Sequence, residues 1–414
     1  MSKEFSWRKI FTDENLQWLI VICSLLLFTG FVCSRALSSI GMISMLIAAL
    51  LFSNPWHTLK NYFQRKDLLA ISLFFWLVFV SGFYSEDKAG WANWVRIKLP
   101  YLALPIAFAA FKKLEEKKFL LLLYGFIVIL FIATITVLAR YFLNYETITE
   151  SFSLGGGIPM PYSRIRFTLM LAFSFFCTAY LYENEKQLFS KNEKWFQVFL
   201  LVFSFVALHI LSVRSSMLAL YLGLFFLLCR YLFQKRNFAK GILFLILLFV
   251  IPYTAQQTIP SLKSKLSYMR YDNVEYKNGN MNNLSDGMRF TSIRAGLEIA
   301  KKNVWFGVGA GDIRKEMEKF YKEQYPTLEA NDFKLPHSQL VWVLASIGVI
   351  GLAIFLFAFF FPFFNSGIFK NSLAVILYLI IFSSFLTEAT LEEQMGTGFY
   401  LTFLLLFINQ SQKE

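Results

Sequence analysis

Long apolar runs separated by short, basic connections set the pattern of this chain. The runs start near positions 15, 36, 67, 97, 118, 164, 195, 215, 240, 338, 371 and 397. A helix needs roughly 20 mostly apolar residues to cross a bilayer, so the pattern predicts about twelve transmembrane helices. The fourth run (97–111) and the twelfth (397–410) are short. Pro100 and Pro105 fall in the fourth, where a kink requires neighbours that satisfy the freed carbonyls. Basic residues precede the first run and no small-residue cleavage site follows it, so it is expected to be a retained helix rather than a signal peptide.

Composition turns the pattern into a class. Charged residues make up 16% of the chain and hydrophobic ones 57%, with 49 Phe. Globular chains carry roughly 25% charge, so too little polar surface is present to cover the cores of a soluble protein this long. The net charge of +13 is concentrated in short loops, which accounts for it without nucleic acid. Cys23, Cys33, Cys177 and Cys229 lie in or beside apolar runs; their spacing fits neither a disulfide framework nor a zinc site, and they are expected to be buried small hydrophobes. Only His57, His209 and His337 are available, which rules out a histidine-rich metal cluster.

The loops orient the runs. Lys3, Arg8 and Lys9 precede the first, and Lys60, Arg65 and Lys66 follow the second. Lys112, Lys113, Lys117 and Lys118 follow the fourth, and Lys186, Lys191 and Lys194 the sixth. Arg230, Lys235, Arg236 and Lys240 follow the eighth, whereas 144–163 holds Glu146 and Glu150 with no Lys or Arg ahead of Arg164. Excess Lys and Arg mark cytoplasmic loops, so both termini are expected in the cytoplasm. Residues 1–256 then carry nine spans, 257–337 form a large extracytoplasmic loop with short helices, and 338–414 carry three more spans. That loop holds 13 Lys/Arg and 10 Asp/Glu. Long loops cross the membrane largely regardless of charge, so it leaves the topology standing. Asn278-Gly279-Asn280 and Asn282-Asn283 make its first part turn-rich. Helices are predicted over 286–302, with Asp286 as N-cap, and near 312–322; Gly307, Gly309 and Gly311 separate them.

Ionisable residues at the extracytoplasmic ends of spans are the candidates for chemistry, because their burial is costly. Arg214 joins the seventh and eighth spans, Arg164 and Arg166 open the sixth, Arg289 and Arg294 lie on the loop helix, and His337 ends the loop. Each also has a plain reading, as a snorkelling anchor or a capping residue. Gly307-Val308-Gly309-Ala310-Gly311 lacks the strand before it and the Lys-Ser/Thr ending of a phosphate loop. Glu388, Glu392 and Glu393, after the eleventh run, are either solvated loop charges or contacts to a cationic group. Together, several guanidiniums can grip a diphosphate bidentately at a membrane surface, and a neutral imidazole can take a proton from an attacking hydroxyl.

Three motifs carry a resemblance. They are Ser212-Val213-Arg214-Ser215-Ser216-Met217-Leu218-Ala219-Leu220; Arg289 followed by Phe306-Gly307-Val308-Gly309-Ala310-Gly311; and His337-Ser338-Gln339-Leu340 with Gly348-Val349-Ile350-Gly351 behind it. In this order, bracketing one large loop, they resemble the O-antigen ligase/O-antigen polymerase superfamily of bacterial envelope glycosyltransferases. The likeness covers about 195–360 by motif. His337-Ser338 stands where the family usually has His-Asn, and Ile293-Arg294 where a tryptophan usually follows the loop arginine.

The resemblance implies an all-α integral membrane fold of twelve helices, of the lipid-dependent GT-C-like type, in a bacterial inner membrane with the active site periplasmic. It implies a polyprenyl-diphosphate-linked glycan donor, a glycolipid or glycan acceptor, inverting transfer, and no metal or other cofactor. Arg214 and Arg289 would bind the diphosphate and His337 would activate the acceptor hydroxyl; Arg166 and Arg294 are weaker candidates. The donor's isoprenoid tail would lie in a lateral groove packed by Phe. Acceptors differ among a lipid A-core ligase, a polysaccharide polymerase and a protein O-oligosaccharyltransferase. A twelve-span transporter or flippase is the competing class; it would be expected to show internal repeats and mid-membrane charges, and neither is evident.

Overall fold

The computed structural model describes residues 12–152, 156–188, 192–235, 238–278 and 284–412. Lys3, Arg8, Lys9, Lys191, Arg236, Gly279, Asn280, Asn282 and Asn283, used above for orientation and turns, lie outside the described residues. Among those described every regular element is helical.

In chain order the helices are α1 (Asp13–Cys33), α2 (Arg35–Phe52), α3 (Pro55–Gln64), α4 (Lys66–Ser81), α5 (Lys88–Lys98) and α6 (Pro100–Ala110). They continue with α7 (Glu116–Leu143), α8 (Tyr145–Ser151), α9 (Arg164–Glu183), α10 (Glu193–Leu211), α11 (Arg214–Lys235) and α12 (Phe238–Thr258). The last six are α13 (Pro260–Lys277), α14 (Asp286–Lys302), α15 (Ile313–Gln324), α16 (Gln339–Asn365), α17 (Ser372–Ser384) and α18 (Gln394–Gln410).

Each of the twelve apolar runs forms a helix, but not each helix is a full span. Among the described residues seven are long and apolar enough to cross a bilayer, or eight if α2 and α3, bent by 109°, count as one. At 1.5 Å per residue, the 11 residues of α6 reach about 16 Å, half a hydrocarbon core of roughly 30 Å. Sequence reading joined what Leu99 divides: the fourth run is the end of α5 plus α6.

α18 is the hub. Met395 to Asn409 are all buried, as expected of a helix that is apolar around its whole circumference. Phe403 stacks on Phe28 of α1 (centroids 5.2 Å) and meets Phe126 of α7 and Phe173 of α9 edge-on, each at 4.8 Å. The Phe-rich composition thus fills the helix interfaces. α12 is at the opposite extreme: only Gly241 and Ala255 are buried, so its apolar surface faces outward. Of the cysteines, Cys23 and Cys177 are buried, whereas Cys33 is exposed, contrary to expectation, because it ends α1 at the turn into α2.

α16 is broken at Gly348, which has φ 76° and ψ −174°. The glycine loop after α14 fills the break. Val308 N–H donates to Ala345 O (3.0 Å) and Gly309 N–H to Ser346 O (2.9 Å), while Val349 N–H donates to Val304 O (2.8 Å). A Cβ on Gly348 would lie 2.2 Å from Trp305 O, and one on Gly307 (φ +69°) 2.4 Å from the Ser346 carbonyl carbon. Non-helical backbone inside a membrane protein survives only where protein supplies its partners, and here two glycine segments supply each other's. The motif is a docking device rather than a phosphate loop.

The described residues of 257–337 pack against the bundle. Sequence reading missed α13, which packs on α10, α12 and α14. The start of α14 also differs from expectation. Asp286 is its first helical residue rather than its N-cap; the carboxylate of Asp272, from α13, accepts from Ser285, Asp286 and Gly287 N–H, each at 2.8 Å. A side chain from another helix caps α14, so no local capping signal could show it.

Candidate functional site

The left-handed turn between α10 and α11 positions the first cation. Ser212 has φ 51°, ending α10, and Arg214 opens α11 with its side chain exposed. α14 brings Asp286 and Arg289, one turn apart, to the same place. Asp286 pairs with Arg214, and lies 3.8 Å from Arg289. Arg164, at the start of α9, and Lys265, from α13, complete a cavity of about 210 Å³ lined also by Ser163, Tyr268 and Phe152. Four basic side chains therefore face one carboxylate.

Lys265 sits deepest in charge terms. Its ammonium donates to Ser212 O (2.8 Å) and Leu211 O (3.3 Å), the last carbonyls of α10, where a helix end favours positive charge. Burial, and then Arg164, Arg214 and Arg289, push its pKa down from 10.5 to about 7. The unfolded chain therefore binds more protons here than the folded one between about pH 7 and 10.5, and this group makes stability rise with pH across that window. A bound anion favours the charged amine, so anion affinity should fall as pH rises through 7. Between pH 6 and 8 an anion such as inorganic pyrophosphate should lose roughly tenfold in affinity by this term, and Lys265→Arg should flatten the profile. A wild-type profile unchanged over this range refutes the assignment.

His337 does not line this cavity. It is half-buried against Ser292, one helix turn from Arg289. Ser292 Oγ donates to Arg289 O (2.8 Å), which uses its single proton. It therefore accepts from His337 N–H and from Nδ1, both at 3.2 Å. The imidazole is thus protonated on Nδ1, leaving the Nε2 lone pair as the basic atom. Burial lowers the His337 pKa; Glu388 opposes this and Arg289 adds to it. The ring is neutral near pH 7 as a result.

Arg166 and Arg294 are not part of the cavity. On a helix two positions apart point about 200° away from each other, so only one of Arg164 and Arg166 can face it. Arg166 is buried instead, donating to Ala389 O (2.9 Å) and Thr390 O (3.3 Å), with Glu393 at 3.2 Å and Glu388 at 3.7 Å. Arg294 is exposed on α14. The acidic cluster after α17 thus meets cations of the protein itself: Glu388 and Glu393 meet Arg166, and Glu392 meets Lys98 at 2.8 Å. Sequence reading did not assign Lys265 or Ser292 to the site, and saw Asp286 only as a cap. Ser292 carries a signal in its spacing, three residues after Arg289 on one helix; Lys265 carries none.

These features define a multi-pass helical membrane protein with a cation-lined cavity against its largest loop and a neutral histidine beside it. Residues 199–356 match the family model described as O-Antigen ligase, so this stretch of the chain is similar to that family. The matched stretch contains Arg214, Lys265, Asp286, Arg289 and His337, whereas Arg164 and Glu388 come from outside it. No curated protein matches the chain.

Proposed function

We propose that the protein transfers a glycan from a polyprenyl-diphosphate carrier to a lipid A-core acceptor, as an O-antigen ligase. The observation that carries this reading is the cavity in which Arg164, Arg214, Lys265 and Arg289 converge, one helix turn from the Ser292-oriented imidazole. Arg214 and Arg289 hold the diphosphate, displacing or sharing the Asp286 carboxylate that bridges them. The acceptor hydroxyl loses its proton to His337 Nε2 as its oxygen bonds to the anomeric carbon. The bond from that carbon to the diphosphate oxygen breaks, and its electron pair leaves on the phosphate. The guanidiniums supply the positive charge that a divalent cation would bring, so the transfer is metal-independent.

The proposed setting is the periplasmic face of a bacterial inner membrane, with both termini cytoplasmic. It takes the short helices α4, α6, α17 and α18 as completing a twelve-helix, GT-C-like arrangement, divided at 257–337. A polymerase or a protein O-oligosaccharyltransferase would use the same cavity and differ only in the acceptor. On a lipopolysaccharide gel, deleting a ligase removes all long chains from an intact core, whereas deleting a polymerase leaves a single repeat on it.

With purified protein and donor, Arg214→Ala and Arg289→Ala should each weaken donor binding, by about 1.5–3 kcal/mol for a lost charged hydrogen bond. Lys should rescue poorly at either position because an ammonium lacks the bidentate fork. Unchanged donor KM in both Ala variants sinks the diphosphate assignment.

A further inference from the structure

The starts of α2 and α6 and the end of α5 enclose a second cavity of about 650 Å³, larger than the cationic one. Its two walls carry the same polarity gradient. Down α2 the lining passes from Arg35 and Ser39 to Met42 and Leu46; down α5 and α6 it passes from Asn93 and Arg96 to Leu99 and Leu104. Eleven residues of helix separate Arg35 from Leu46, about 16 Å, which is the depth of one leaflet of a roughly 30 Å core. An amphiphile with a polar head and a chain matches that gradient on both sides at once.

Charge specifies the head. The two carboxylates at this end are already compensated: Glu392 by Lys98 at 2.8 Å, and Glu393 by Arg166 at 3.2 Å. Arg35 lies 5.5 Å over the Tyr162 ring, and Arg96 donates to Asn93 Oδ1 at 2.8 Å. Both are exposed, and neither has a carboxylate partner among the described residues. An apolar tail alone would need no cations here, whereas two guanidiniums match a phosphate.

We infer that this groove seats an anionic phospholipid of the surrounding bilayer, its phosphate between Arg35 and Arg96 and its chain along Met42–Leu46 and Leu99–Leu104. The groove is separate from the cationic cavity. The wall between them is Arg166, which contacts Ser163 on the cavity side (3.2 Å) and Glu393 on the groove side (3.2 Å). The bound head therefore rests against the same loop that carries Glu388 towards His337. The inference stands without the transfer reaction.

The test is native mass spectrometry of the protein released from mixed phosphatidylglycerol and phosphatidylcholine nanodiscs. Wild type should retain one phosphatidylglycerol with roughly tenfold preference, and the double variant Arg35→Gln, Arg96→Gln should lose the preference while still binding polyprenyl diphosphate. Photoactivatable phosphatidylglycerol should label peptides containing 42–46 or 99–104. Equal retention of the two lipids by wild type, or an undiminished preference in the double variant, overturns the inference. So does displacement of the lipid by polyprenyl diphosphate, which would assign the groove to the donor's tail.

Discussion

His337→Ala should lower kcat by about 10²–10⁴-fold, the usual worth of a general base, while leaving donor affinity within a factor of a few. The split follows from the geometry. The cations proposed to hold the diphosphate line a cavity whose lining does not include His337, so removing the ring leaves that cavity intact. The ring's task is set by what surrounds it: burial keeps it neutral, and Ser292 fixes the proton on Nδ1. Ser292→Ala should therefore also lower kcat, less severely, and shift the pH–rate profile, because the tautomer is no longer held. Single-turnover assays with a donor carrying a labelled glycan measure both quantities. Near-full activity in His337→Ala shows that another group takes the proton.

Glu392→Ala should destabilise the protein by about 3–5 kcal/mol, the cost of leaving one partner of a buried ion pair uncompensated. Lys98 is 0% exposed and Glu392 5%, and their charged atoms are 2.8 Å apart. The ammonium also donates to Leu391 O at 2.6 Å and lies 4.3 Å from the Phe74 ring centre. Gln339, in the first turn of α16, donates to Glu392 Oε1 at 2.6 Å and accepts from Leu391 N–H at 2.9 Å. Removing the carboxylate leaves the ammonium with one carbonyl and aromatic faces, and unlocks the loop that also carries Glu388. Lys98→Met combined with Glu392→Leu should restore most of the loss, since a buried pair can give way to apolar side chains of similar volume. Thermal inactivation in nanodiscs reads the order wild type, double variant, Glu392→Ala. A single variant as stable as wild type would mean that water reaches Lys98.

What the chain order reveals and what it hides divides along physical lines. Helices announce themselves through local periodicity, so α14 begins and ends where the pattern puts it, at 286 and 302. Arg214 stood out because a charge beside an apolar run needs a reason, whereas Arg289, inside the loop, stood out only through the motif resemblance. α5 was hidden because its lining of Trp, Lys and Arg averages to neither a span nor a loop. The partners of Arg166 and Lys98 were hidden because each is set by contacts between segments distant in the chain: Arg166 meets a loop more than 200 positions away. Sequence spacing says which residues share a helix face, not which foreign face they meet. Hence Arg166, a weaker candidate ligand in the sequence, packs against the loop after α17 instead of lining the cavity.

The interlocking of the glycine loop with the break in α16 decides where the molecule can yield. Lifting α14 and α15 outward would strip Ala345 and Ser346 carbonyls and the Val349 amide of their partners in apolar surroundings, at several kcal/mol. That border of the entrance behaves as a fixed jamb. Any widening has to come from segments tied by side chains rather than by shared backbone, such as α13, whose links to α10 and α14 run through Lys265 and Asp272.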